Sequence, residues 1–328
     1  MTTAFVLSGG GSLGAMQVGM LRTLLRNGIV PDRIYGTSIG SLNGGALALD
    51  PTPEGVERLA AMWHTIGEHD VFPLDPKQVA RAVLRSLPLL PLGLLRATGA
   101  LNSAFPIRPV RALLGLVGVT NYLVPSGPRR SLIRTATQGA RIEDAVVPFQ
   151  AMATEVATGR LVPLTSGDAL DALMASSAIP GIFPPERIEG RLLMDGGVAD
   201  NTAVDQAVED GAERIYVLPT GFACDLPRPP RSALAMLVHG LDVLIEQRLI
   251  AASRRQDPRV VLNVVPPLCP LSVLPVDFGH SDEMITRAER STQQWLRNGR
   301  KPVAGLSRAL GAHNPPTSID LDRLATTL

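Results

Sequence analysis

Directly after the apolar run Ala4-Phe5-Val6-Leu7, the chain reads Ser8-Gly9-Gly10-Gly11-Ser12-Leu13-Gly14. A second glycine-framed turn, Gly36-Thr37-Ser38-Ile39-Gly40, follows Arg33-Ile34-Tyr35. Each sequence predicts a strand that turns sharply into a helix, because glycine has no Cβ to clash in such a turn. Repeated strand-to-helix units of this kind predict an α/β fold with a largely parallel sheet.

The same alternation continues along the chain. Strands are expected at 149–154, 160–164, 191–194, 215–218 and 260–265, and helices at 14–26, 39–49, 169–177, 203–210, 232–252 and 281–297. The long helix at 232–252 has an apolar side that suits either an acyl chain or the core.

Residues 70–130 break this alternation, because they are rich in leucine and proline and contain several arginines. We interpret them as an insertion or cap, either an extra helical layer or an apolar lid beside the active site. The chain is therefore expected to form one domain over residues 1–300 and a C-terminal tail over 301–328.

The two glycine turns also predict chemistry. In the form Gly-x-Ser-x-Gly, the turn pushes the hydroxyl of Ser38 out at its crest. The earlier turn can aim the N–H groups of Gly9, Gly10 and Gly11 at one point beside a helix N-terminus, as an oxyanion hole requires. Because both turns follow parallel strands, both should open at the carboxyl-end edge of the sheet. These features indicate a serine acyl hydrolase.

A serine hydroxyl needs a base, and Asp195 is the candidate. It ends the apolar stretch Leu192-Leu193-Met194 and is followed by Gly196 and Gly197. A third strand end would bring this carboxylate to the same edge of the sheet. The same residues are also explained by an Asp-Gly turn that caps the next helix and has no catalytic role.

The histidines have no recognisable catalytic context, and we expect them to be surface or packing residues. They are His64, His69, His239, His280 and His313.

These motifs together resemble the patatin-like phospholipases. That family has a glycine-rich oxyanion motif, then Gly-x-Ser-x-Gly, then a late Asp-Gly-Gly or Asp-Gly-Ala, which are here Gly9–Gly14, Gly36–Gly40 and Asp195–Gly197. The stretches 175–185 and 200–204 are similar to the family's segments before and after the aspartate. The resemblance spans roughly the first three hundred residues and is weakest across the predicted insertion.

The resemblance implies a three-layer patatin-like fold and a Ser-Asp dyad without histidine. Asp195 would deprotonate Ser38, the glycine loop ending at Gly14 would hold the oxyanion, and an acyl-enzyme would form. Gly36, Gly40, Gly196 and Gly197 would be the structural glycines of the motifs. The implied substrate is a lipid acyl ester, of the phospholipase A or lysophospholipase type. Leu13 departs from the pattern, because many members carry Arg or Lys there, and this bears on headgroup preference or rate.

Other functions compete for the same residues. Gly9-x-Gly11-x-x-Gly14 also fits a dinucleotide-binding turn, although Asp32, the nearest acidic candidate, precedes the second strand. A histidine-dependent α/β-hydrolase could draw on His239 or His280, but its serine turn normally follows several strands. A non-catalytic lipid-binding or regulatory protein is the third alternative.

Composition excludes several classes of protein. The 31 basic and 30 acidic residues nearly cancel, so nothing indicates a nucleic-acid partner. Cys224 and Cys269 are far apart and lack neighbours at metal-ligand spacing, so we expect reduced thiols, no metal and no cofactor. No calcium-loop pattern is present.

The N-terminus lacks the features of a signal peptide, and no apolar run is long enough to span a bilayer. We therefore expect a cytoplasmic protein with peripheral contact at the inner membrane surface.

Overall fold

The computed structural model describes residues 1–68, 121–122, 126–221, 233–254, 258–268, 273, 275 and 277–299. The predicted tail at 301–328 and most of the predicted insertion at 70–130 lie outside these residues. Cys224, Cys269, His69 and His313 lie outside them as well.

The described residues form strands and helices in alternation. The strands are β1 (Thr3–Leu7), β2 (Arg33–Thr37), β3 (Phe149–Glu155), β4 (Leu161–Leu164), β5 (Glu186–Ile188), β6 (Arg191–Asp195), β7 (Arg214–Leu218) and β8 (Val261–Val264). The helices are α1 (Ala15–Arg26), α2 (Ile39–Leu49), α3 (Pro53–Glu68), α4 (Gly127–Thr137), α5 (Ala169–Ser176), α6 (Val204–Glu209), α7 (Ala233–Arg254) and α8 (Ser281–Arg297).

The strands make one sheet in the order β5-β6-β3-β2-β1-β7-β8, with β4 paired to β3. Strands β3, β2, β1, β7 and β8 run parallel to their neighbours in that part of the sheet. The other pairs, β3 with β4, β3 with β6 and β5 with β6, are antiparallel. The predicted α/β fold with a largely parallel sheet is confirmed.

Both faces of the sheet are covered, which explains why its central strands are apolar throughout. Phe5 and Leu7 point to a core that they share with α1, α2, α3 and α8. Their neighbours Ala4 and Val6 point to a second core that includes residues of α6 and α7. The architecture is therefore three layers, as predicted.

Strand β6 differs in direction from the strands that precede the two glycine turns. It runs antiparallel to β3, with Asp195 opposite Ala153 and Leu193 opposite Glu155. The hydrophobic pattern could not settle this, because side chains alternate in the same way along parallel and antiparallel strands.

Asp195 nevertheless reaches the predicted edge, because β3 extends beyond β2. Thr37 of β2 pairs with Met152, and Asp195 of β6 pairs with the next residue, Ala153. Strand β4 pairs with Ala151–Thr154 and so occupies the other edge of β3. Strands β2 and β6 therefore pair with the same edge of β3, and their C-terminal ends meet there.

Most predicted elements are confirmed within one or two residues. Helices α3 and α4 and the short strand β5 were not predicted. Helix α4 begins at Gly127, inside the segment that was interpreted as an insertion, and carries a proline in its first turn.

The close approach of α2 to the end of β1 is expected to tolerate no side chain at Gly40. A Cβ at this position would overlap the carbonyl oxygen of Leu7. Gly40→Ala should lower the free energy of unfolding by about 1–3 kcal/mol in urea denaturation.

Gly127→Ala is the matched control, because a Cβ there meets nothing within 4 Å. It should leave stability unchanged or raise it by up to about 1 kcal/mol. Equal effects of the two substitutions would contradict the overlap at Gly40.

Candidate active site

Ser38 lies at the turn between β2 and α2, where its backbone has φ 54° and ψ −123°. This conformation is strained for a residue with a Cβ, and it is the geometry of a nucleophile elbow. A Cβ on Gly36 would lie 2.5 Å from the carbonyl oxygen of Gly40, so the turn closes only with glycines. The N–H of Ser38 donates to Ser176 Oγ at 3.0 Å, which fastens the turn to the end of α5.

Asp195 lies beside Ser38 and is only 6% exposed. Its Oδ1 accepts the N–H of Gly197 at 2.8 Å. Burial raises the pKa of Asp195 to about 6, while the nearby Ser38 hydroxyl, the Gly197 N–H and the charge of Arg129 act in the opposite direction. The structure therefore brings together the two residues that the sequence singled out, and the aspartate also caps the turn at Gly196–Val198.

The glycine loop after β1 packs directly against this pair. A Cβ on Gly9 would lie 2.9 Å from Ser38 Cβ and 2.7 Å from Asn201 Oδ1. The N–H of Gly9 donates to Asn201 Oδ1 at 3.0 Å. Gly9 was predicted to donate its N–H to an oxyanion, but in the structure this N–H already has Asn201 as its partner.

The next residues of the loop keep their N–H groups available. Within the part of the chain that the structure describes, the N–H groups of Gly10 and Gly11 make no hydrogen bond. Ser12 N–H donates to Pro275 O at 2.8 Å and Leu13 N–H to Gly10 O at 3.2 Å. Among the described residues, the N–H groups of Gly10 and Gly11 are therefore not already used in hydrogen bonds.

The remaining predicted glycines have packing roles. Gly14 is buried at the end of the Gly11–Gly14 3-10 turn, where a Cβ would lie 2.6 Å from Ile39 Cγ1 and 3.2 Å from a Trp63 ring carbon. A Cβ on Gly196 would overlap Met152 O of β3. These positions set the distance between elements.

A buried polar network supports the base of the glycine loop. Gln17 Nε2 donates to the carbonyl oxygens of Ser8 and Leu218, each at 2.9 Å. Asn43 Nδ2 donates to Gln17 Oε1 at 2.8 Å, and Trp63 Nε1 donates to Asn43 Oδ1 at 2.9 Å. The network joins α1, α2 and α3 to the ends of β1 and β7, which holds the loop in one conformation.

Sequence reasoning missed the polar residues that surround the pair. Asn201 and Ser176 lie in stretches that were quoted for the family resemblance, but nothing local assigned them to Gly9 and Ser38. Arg129, which is 5% exposed, had no signal at all.

The structure also bears on the competing functions. Asp32 Oδ2 accepts the N–H of Thr3 at 2.7 Å. Asp32 therefore lies where β1 begins, at the opposite end of the strand from the carboxyl-end edge, where a dinucleotide-binding fold would hold the ribose. His64 and His280 are about half exposed and pair with surface carboxylates, as predicted for surface residues. The described structure thus gives His280 no place in a catalytic triad, and the side chain of His239 is outside it.

Among the described residues, no group of three or more His, Cys, Asp or Glu side chains could hold a metal ion. No helix among them is both long enough and apolar enough to cross a membrane.

Comparison with known proteins identifies the relatives of this chain. Residues 5–208 match the family model of the patatin-like phospholipases. A lysophospholipase NTE1 from Mycosarcoma maydis is 29% identical over 69% of this chain and 10% of its own length. A patatin-like phospholipase domain-containing protein 7 from Rattus norvegicus is 27% identical over 66% of this chain and 13% of its own length. The chain therefore corresponds to a small part of these curated relatives.

Among solved structures, VipD from Legionella pneumophila is similar at 14% identity and a TM-score of 0.44. The similarity covers 90% of this chain and 67% of that one.

The network below the glycine loop is expected to contribute strongly to stability. Gln17→Met removes the hydrogen bonds to Ser8 O and Leu218 O, so that Ser8 O loses this buried donor while Leu218 O keeps only the N–H of Ser8. The free energy of unfolding should fall by about 2–4 kcal/mol in urea denaturation.

Gln294→Met makes the same chemical change at an exposed position of α8. It should alter stability by no more than about 0.5 kcal/mol. A similarly small effect of Gln17→Met would show that the network does not stabilise the loop.

Proposed function

The chain belongs to the patatin-like phospholipase family, and we propose that it hydrolyses acyl esters of lipids with Ser38 and Asp195 as a catalytic dyad. The observation that carries this proposal is the meeting of β2 and β6 on one edge of β3, where Thr37 and Asp195 pair with adjacent residues and the Ser38 hydroxyl lowers the pKa of the buried Asp195 carboxyl. A nucleophile and its base must lie close together, and the strained turn at Ser38 is typical of serine hydrolases.

In the first half-reaction, Ser38 Oγ attacks the ester carbonyl carbon while its proton moves to Asp195. The carbonyl oxygen becomes an oxyanion, and the N–H groups of Gly10 and Gly11 are the donors that we assign to it. When the C–O bond breaks, the leaving alcohol oxygen takes the proton from Asp195. The products are the free alcohol and an ester between the acyl group and Ser38.

In the second half-reaction, water gives a proton to Asp195 and attacks the acyl-enzyme carbonyl. The Ser38–acyl bond breaks, Ser38 Oγ takes the proton back from Asp195, and the fatty acid leaves. The same two donors would hold the oxyanion in both steps. This mechanism needs no metal and no cofactor.

Exposed apolar side chains near the dyad support a lipid substrate. Ile179 and Ile182 are 37% and 39% exposed, on the loop whose Ala178 O accepts the N–H of Asp195. Val198, at 45% exposure, lies in the turn directly after Asp195. These side chains offer apolar contact to an acyl chain or to a membrane surface at the site.

The proposed class is a phospholipase A or lysophospholipase that acts at a membrane surface. Vesicles of phospholipid, and micelles of lysophospholipid, test it directly through release of free fatty acid. Binding of vesicles without release of fatty acid, in the wild type and in Ser38→Ala alike, would favour a lipid-binding protein instead.

Substitution of either dyad residue is expected to abolish hydrolysis of p-nitrophenyl acyl esters. Ser38→Ala should lower kcat by at least about 10³-fold, because no other hydroxyl replaces the nucleophile. Asp195→Asn should lower it by about 10²–10⁴-fold through loss of the base.

Asp171→Asn is the matched control, because this carboxylate on α5 is exposed and pairs with Arg130. It should keep wild-type activity. Circular dichroism would check that all variants fold, and activity that survives in folded Ser38→Ala would refute the dyad.

Activity is also expected to depend on pH through Asp195. As a base, Asp195 must be deprotonated, and its pKa of about 6 means that it is protonated at lower pH. The kcat/KM for a soluble ester should therefore fall tenfold per pH unit below about 6 and level off above it. A flat profile between pH 5 and 8 would contradict the role of Asp195.

A further inference from the structure

We propose that Arg129 is a positioning residue of the dyad: it holds the end of α5 that fastens Ser38 and Asp195, and it places a buried positive charge beside that segment. The inference rests on the proposed function, since it concerns the same pair. It is carried by the contacts of a buried arginine that the sequence did not single out.

The end of α5 holds both members of the dyad by hydrogen bonds. Ser176 Oγ accepts the N–H of Ser38 at 3.0 Å. Two residues later, the carbonyl oxygen of Ala178 accepts the N–H of Asp195 at 2.9 Å. A displacement of this short segment would therefore move the nucleophile and the base relative to each other.

Arg129 reaches this segment from the first turn of α4. Its Nη1 donates to the carbonyl oxygen of Met174 at 3.0 Å and to Ser177 Oγ at 3.1 Å. The two acceptors lie on either side of Ser176, one before it and one after it. The guanidinium thus bridges the residues on both sides of Ser176, which anchors Ser38.

The guanidinium is deeply buried, with 6% of its side chain exposed. It stacks on Phe183 with Cζ 4.4 Å from the ring centroid, and its Nη2 lies 3.6 Å from Glu186 Oε1. Its Nε and Nη2 make no hydrogen bond to the described residues. An incompletely paired buried charge destabilises a fold, which favours a functional role for this arginine.

The charge of Arg129 acts directly on Asp195. Burial lowers the pKa of Arg129 to about 10, so it stays positive at neutral pH, and Asp195 acts in the opposite direction on it. Reciprocally, Arg129 opposes the burial that raises the pKa of Asp195. Removing the positive charge should therefore move the protonation of Asp195 to higher pH.

Other charged groups lie on elements that pack near the pair. They are Arg130 on α4, Asp171 on α5, Glu186 on β5, Arg191 on β6, Glu155 on β3 and Asp200 after the Asp-Gly-Gly turn. Glu186 lies between the two arginines, with Arg130 Nη2 3.1 Å from its Oε2. Among these described groups, only Arg129 acts on the pKa of Asp195 through its charge.

The test is the pH profile of kcat/KM for a soluble p-nitrophenyl ester from pH 4.5 to 8.5, with the wild type, Arg129→Met, Arg129→Lys and Arg130→Met. The acid limb is the part of this profile in which kcat/KM falls as Asp195 becomes protonated. In Arg129→Met the acid limb should move up by about 0.5–1 pH unit, and kcat should fall about tenfold or more. Arg129→Lys keeps the charge but not the forked geometry, so kcat should fall while the acid limb stays in place. Arg130→Met removes the neighbouring arginine, which shares Glu186, and should leave the limb unchanged.

A merely structural role for Arg129 would lower kcat without moving the limb, so an unmoved limb in folded, active Arg129→Met overturns the proposal. An equal shift in Arg130→Met would also overturn it.

If Arg129→Met does not fold, Arg129→Gln carries the test. Its amide can still donate a hydrogen bond but the positive charge is gone, so the acid limb should again move to higher pH, and an unmoved limb in this folded variant overturns the proposal. Failure of the proposed function is distinguishable, because the wild type would then hydrolyse no ester or Ser38→Ala would remain active.

Discussion

The site depends on how one strand, β3, is shared by its neighbours. A strand has two edges, and β4 occupies one of them along Ala151–Thr154. On the other edge, β2 pairs only as far as Met152, because the chain then turns into α2 at Ser38. Strand β6 takes up the pairing at Ala153 from the opposite direction. The ladder hydrogen bonds of two adjacent residues therefore bring Thr37 and Asp195 together, and the closeness of Ser38 and Asp195 does not rely on a long loop.

This arrangement concentrates unfavourable features at one point. Ser38 has a positive φ, which costs about 1–3 kcal/mol, and Asp195 is a carboxylate buried at 6% exposure. The surroundings offset these terms with hydrogen bonds. Thr154 Oγ1 donates to Asp195 O at 2.9 Å and accepts the N–H of Ala199 at 3.1 Å, so the turn after the aspartate is fastened to β3. The network of Gln17, Asn43 and Trp63 does the same for the glycine loop.

The strand and helix positions could be predicted because their signals are local. The helices at 39–49 and 281–297 agree with α2 and α8 to the residue, and β1, β3 and β7 are within one residue of their predicted bounds. Long-range features had no such signal. The partner of Gly9 is Asn201, which is 192 residues away, and the anchor of Ser38 is Ser176, which is 138 residues away. The antiparallel pairing of β6 with β3 had no local signal either, since alternation of side chains along a strand does not reveal the direction of its neighbour.

The sequence by itself determined the turns and the residue types of the site. Close backbone approaches that only glycine allows, and a serine between two such glycines, are consequences of covalent geometry and can be read locally. Tertiary structure alone decided which loop N–H groups remain available, Gly10 and Gly11 and not Gly9, and how strongly burial shifts the pKa of Asp195. It also decided that Arg129 lies among the supports of the dyad. These properties arise from desolvation and from hydrogen bonds between distant segments, which exist only when the chain is folded.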